Sequence, residues 1–143
     1  MASGSGDGHG DALAWRAGQF IALLGLCSAY IQGGLTKLFD FPGAIAEASH
    51  FGLPFPVLVA VITIILELGA SFLILSGRLR WAGALALAGF TLMATFIANR
   101  FWDMPEGERF MVENAFFEHL GLVGGFVFFA LFDLGRLRPA RRV

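Results

Sequence analysis

The sequence predicts an all-α integral membrane protein: a four-helix bundle with short loops and one short interfacial helix in the first outer loop. Three observations predict it. Four long apolar stretches occupy most of the 143 residues. Only 15% of residues are charged, against about 25% in soluble domains. Residues 55–66, 81–98 and 120–132 carry no polar stripe, which every outer helix of a soluble bundle needs.

The spans fall at residues 15–39, 55–77, 80–101 and 112–134. Each reaches the roughly 20 residues that cross about 30 Å of hydrocarbon. Lipid offers no partner for free backbone N–H and C=O groups, so each must be a helix. Residues 1–13 are rich in Gly and Ser and read as a flexible tail before an uncleaved first span. The first span carries Gly18, Ala22, Gly25, Ala29 and Gly33 at spacings of three and four, a groove for close backbone approach. In the connector that follows, residues 42–50 suit a short interfacial helix, with Pro42 near its start and Gly52 after its end. Spans two and three are joined by a very short turn at Ser76 and Gly77, so they form an antiparallel hairpin. Span three offers Ala84, Ala88, Thr91 and Thr95 as a packing face. Span four offers Gly121 and Gly125, within the bundle or as a homodimer seam. Residues 14–135 form one domain, and residues 136–143 are a basic tail.

Arginine and lysine placement orients the bundle. One side holds Arg16, Arg78, Arg80, Arg136, Arg138, Arg141 and Arg142. The other holds Lys37, Arg100 and Arg109 among six acidic residues. Both termini are therefore expected in the cytoplasm. A net charge of −1 and a single lysine give no surface for nucleic acid. One cysteine, Cys27, excludes an intramolecular disulfide and a CxxC relay.

The chemistry-bearing candidates lie inside the spans. Glu67 is central in span two, where a charge costs about 2.5–3.5 kcal/mol to insert. At about 1.5 Å rise per residue, Gln32 and Thr91 share its depth. Lys37, Asn99, Asn114, Glu118 and His119 form a layer nearer the outer face. Together they predict a polar pocket opening outward, with Glu67 stapled through Gln32 or Thr91, or handling a proton or ligand. Lys37 reaches Glu67 only by stretching inward. Glu118 and His119 point about 100° apart, so both need not line one cavity. His119, Glu118 and His50 have no diagnostic metal-ligand spacing, and no metal or intrinsic cofactor is expected. With no GxGxxG, P-loop or nucleophile elbow, there is no self-contained catalytic motif, and whether the chain is an enzyme is left open.

Gly33-x-x-x-Lys37-Leu38, Pro54-x-Pro56, Glu67-x-Gly69, Asn99-Arg100-Phe101-Trp102 and the run from Phe116 through His119 to Gly125 resemble the DoxX family. The family pattern often has histidine at the position of Asn99 and asparagine at that of His119, an exchange that would keep the polar set if both line one pocket. The resemblance implies a four-span protein of the bacterial inner (cytoplasmic) membrane, in a family with some members linked to oxidoreductases that pass electrons to quinone and others to tolerance of catechols, quinones or oxidative stress. On that reading the chain is a quinone-interacting subunit beside other membrane subunits, with quinone as its ligand. The alternatives are a non-catalytic accessory subunit of a larger complex, or a small-molecule binder.

Overall fold

The computed structural model describes residues 7–137. Among them the chain forms five α-helices: α1 (Asp7–Phe39), α2 (Phe41–His50), α3 (Pro56–Ser76), α4 (Arg80–Ala98) and α5 (Glu106–Leu137). A single 3-10 turn, Phe101–Asp103, lies between α4 and α5. α1, α3, α4 and α5 are each long and apolar enough to cross a membrane. The first helix begins at Asp7, so part of the segment expected to be flexible is helical. Arg138, Arg141 and Arg142 of the expected basic tail lie outside the described residues.

Each spanning helix buries residues three and four apart, the spacing that keeps side chains on one face. On α1 these are Leu23, Cys27 and Tyr30; on α3, Ala60, Ile64, Glu67, Ser71 and Ile74. On α4 they are Ala84, Leu87, Ala88, Thr91 and Thr95, and on α5, Phe116, Phe126 and Ala130. α1 packs on α3, α3 on α4, and α4 on α5. The ring closes where the Tyr30 ring meets Phe126 edge to face, with centroids 5.4 Å apart.

Two glycines sit at close contacts between helices. A Cβ on Gly83 would lie 2.7 Å from the Ala70 carbonyl oxygen, and one on Gly34 would lie 2.8 Å from Leu68 side-chain carbons. Neither belongs to the groove expected on the first span. A Cβ on Gly18 or Gly25 would meet nothing within 4 Å, because α1 is rotated to bury the Leu23, Cys27 and Tyr30 face instead. Gly121 is equally open, while Gly125 faces Leu26 at 3.7 Å.

The connections follow local chemistry. Asp40 caps α2, its Oδ1 accepting from the Gly43 backbone N–H at 3.0 Å, with Pro42 in the first turn. That helix starts one residue before the expected one. Gly77 ends α3 at φ 84°, a conformation costly for residues with a Cβ. The next helix is entered through Leu79, also left-handed, with no side-chain cap of its own. The missing cap comes from α5, where Asp133 Oδ2 accepts from the Trp81 backbone N–H at 3.2 Å.

The dry core of Leu23, Cys27, Ala70, Ile74, Ala84, Leu87, Phe126 and Ala130 fills the half of the bundle near the α3–α4 turn. Toward α2 the interior is a cavity.

Candidate functional site

The cavity measures about 350 Å³ and is lined by all five helices. α1 supplies Tyr30, Gly33 and Lys37; α2 covers it with Ala44, Glu47 and Ala48. α3 contributes Val59, Thr63 and Glu67, α4 contributes Phe90, Thr91, Met93 and Ile97, and α5 contributes His119 and Leu122. Val59 and Thr63 continue the α3 face that meets α4 at Ala70. Met93 lines the cavity and is 57% exposed, so the cavity reaches the lipid-facing surface between α3 and α4.

Its polar end is built around Lys37. The ammonium Nζ lies 3.7 Å from Glu67 Oε2 and 3.8 Å from Glu47 Oε2. One cation thus ties the last turn of α1 to both α2 and α3. Both separations are ion-pair distances, longer than a hydrogen bond. Glu67 is 6% exposed, and among the described residues its Oε2 has no hydrogen-bond partner. Gly33 sits directly against the pair: a Cβ there would lie 3.4 Å and 3.6 Å from the two carboxylate oxygens and 3.6 Å from Nζ, ordinary van der Waals contact.

A chain of hydroxyls runs along one wall. Thr91 Oγ1 donates to the Leu87 carbonyl at 2.7 Å, so its single hydrogen is used and the Tyr30 O–H donates to Thr91 Oγ1. Thr95 Oγ1 donates to the Thr91 carbonyl at 2.6 Å and lies 3.1 Å from His119 Nδ1. Asn99 Nδ2 donates to the same ring nitrogen at 2.9 Å. Nδ1 is then the acceptor, and the ring hydrogen sits on Nε2, which takes no part in these contacts. Beyond this layer Phe96, Phe101, Trp102, Phe116 and Phe117 stack edge to face over the α4–α5 connection.

The geometry thus brings Lys37, Glu67, Thr91 and His119 to one cavity, with Asn99 behind His119. Three other sequence candidates lie elsewhere. Gln32 is exposed, donates to Thr36 Oγ1 at 3.0 Å, and belongs to a shallow groove on the outward side of α1. Asn114 and Glu118 are exposed on the outer face of α5, the rotation from His119 carrying them away. Glu67 is accordingly held by Lys37, not by Gln32 or Thr91. His50 packs on Phe51, and no group of three metal-type ligands occurs among the described residues. Tyr30, Glu47 and Thr95 were not among the sequence candidates. For Tyr30 the signal was available: Tyr30, Gly33 and Lys37 recur at three and four residues on the face opposite lipid.

The DoxX family model matches residues 18–100, more than half of the chain and all of the site except the α5 residues. The chain is also similar to inner membrane protein YphA of Escherichia coli strain K12, at 26% identity over 122 residues, covering 85% of this chain and 87% of the relative. No solved structure matches.

Proposed function

Because the chain belongs to the DoxX family, we propose that it is a redox-associated subunit of the bacterial inner membrane whose cavity binds the headgroup of a membrane quinone. The observation that carries this reading is the cavity's chemistry: an apolar chamber at the lipid interface, ending in the Lys37–Glu67 pair with an unpartnered buried carboxylate oxygen. Buried polar atoms without partners are uncommon and costly. Lys37 Nζ and the His119 Nε2–H are donors suited to ring oxygens. A quinone, when bound, would supply the capacity to take up two electrons and two protons. The chain's residues would bind and orient the ring, and the Lys37 ammonium would hold a proton near it. Electrons would come from a partner subunit or soluble donor. The relative's printed name, inner membrane protein, supports the compartment. The arginine distribution supports cytoplasmic termini, which puts the cavity near the outer face.

The test is titration of the purified protein in nanodiscs with a short-chain ubiquinone, followed by calorimetry. Saturable binding, weakened at least about tenfold by Lys37→Met, is expected of a donor to a buried ligand. An absence of binding, with no quinone retained on native purification, overturns the reading.

A second reading, a docking subunit without ligand, is favoured by the open small-residue positions Gly18, Gly25 and Gly121, where another membrane chain or a second copy could approach closely. It predicts stable co-purification with other membrane chains that Gly18→Leu disrupts.

A further inference from the structure

The polar end of the cavity has a definite hydrogen-bonding sense. Glu67 Oε2 is buried and has no hydrogen-bond partner among the described residues. In its ion pair with Lys37, 3.7 Å away, the carboxylate oxygen serves as an acceptor. The Lys37 Nζ can only donate, and neither Glu67 nor Glu47 lies within hydrogen-bond distance of it. A single ligand atom that satisfies both groups would therefore give and receive a hydrogen bond. A hydroxyl oxygen does this; a carbonyl oxygen does not. A carbonyl facing Glu67 would set lone pair against lone pair in a low-dielectric pocket, leaving the buried acceptor unpaired.

Size and walls narrow the ligand further. A cavity of about 350 Å³ is at the small end of ligand sites, room for one ring rather than a large headgroup. Phe90, Val59 and Ile97 offer apolar flanks. The exposed Met93 marks where an attached alkyl chain would leave between α3 and α4 toward lipid.

We propose that the site selects the hydroxyl-bearing, reduced form of its ring ligand: a ring O–H donates to Glu67 Oε2, and the cationic Lys37 donates to a ring oxygen. The inference rests on the reading of the cavity as a quinone-type site and deepens it, making the quinol the preferred occupant. It concerns binding alone and requires no electron transfer within the chain.

The experiment compares decylubiquinol, decylubiquinone and the dimethyl ether of the same quinol by anaerobic calorimetry in nanodiscs. The wild-type protein should bind the quinol at least about tenfold tighter than the quinone, in line with a site built to receive a hydroxyl. The ether, which keeps the ring but has no O–H, should bind as weakly as the quinone. Glu67→Gln, which replaces an acceptor-only group by one that also donates, should erase or reverse the preference. Equal or tighter binding of the quinone, or an ether as tight as the quinol, overturns the inference while leaving the quinone-site reading intact. Binding of none of the three overturns both. If Glu67→Gln fails to fold, the ether comparison on the wild-type chain decides.

Discussion

Lys37 stands between a buried carboxylate on α3 and an exposed one on α2, and its side chain is mostly covered. Removing the cation would leave Glu67 alone in the bundle interior. Lys37→Met should therefore destabilise the protein by about 3–5 kcal/mol, the cost of leaving one member of a buried pair uncompensated. Combining it with Glu67→Met should recover most of that loss. Reversible unfolding in mixed micelles measures both, and a double variant no more stable than the single one would mean that the pair is not coupled. At Tyr30 the ring and the hydroxyl have separate tasks. The ring packs on Phe126, while the O–H donates to a threonine whose own hydrogen is already used. Tyr30→Phe should then cost about 1 kcal/mol, and Tyr30→Ala several times more, because it also empties the closure between α1 and α5.

At the scale of elements, packing depends on which face of each helix turns inward, and this was the least legible part of the sequence. In lipid an apolar residue is equally content outside or inside. The small-residue row from Gly18 to Gly33 and the Leu23–Cys27–Tyr30 row therefore look equally suited to the interior. Only polar side chains that need partners break the tie, and Gln32 misleads because Thr36, four residues on, satisfies it locally. The helices themselves were legible, since a bilayer permits little else, and α2 was marked by Asp40 and Pro42. The distinction between buried and open glycines is testable. Gly83→Ala sets a methyl carbon 2.7 Å from a backbone carbonyl oxygen that cannot swing aside, and should cost about 1–3 kcal/mol. Gly18→Ala meets nothing in the same protein and should be neutral or slightly stabilising. Thermal unfolding of the two variants side by side distinguishes them; equal losses would refute the assignment of the α3–α4 contact.

For the whole molecule, the cavity lies at one end and the dry core at the other. Depth along each helix is readable from residue numbers, and of the residues grouped on that ground Lys37, Glu67, Thr91 and His119 line one cavity. Rotation is not readable in that way, which is why Asn114 and Glu118 share that depth yet face outward. The proposed orientation, with the cavity near the outer surface, can be checked in a Cys27→Ser background. Exposed Ser49, at the end of α2, changed to cysteine should react with an impermeant maleimide added to spheroplasts. Exposed Ser76, beside the α3–α4 turn, changed to cysteine should react only after lysis. The opposite pattern would invert the protein and place the cavity on the cytoplasmic side.

The borrowed cap at Trp81 bears on biogenesis. The first turn of α4 is completed by a carboxylate that the ribosome supplies some fifty residues later. A nascent chain halted before Asp133 thus holds its third span with the Trp81 amide hydrogen unmet by that carboxylate. Newly made protein carrying Asp133→Ala should consequently insert at the usual rate but stay vulnerable to membrane proteases, a difference that pulse-chase labelling would register as a shortened half-life.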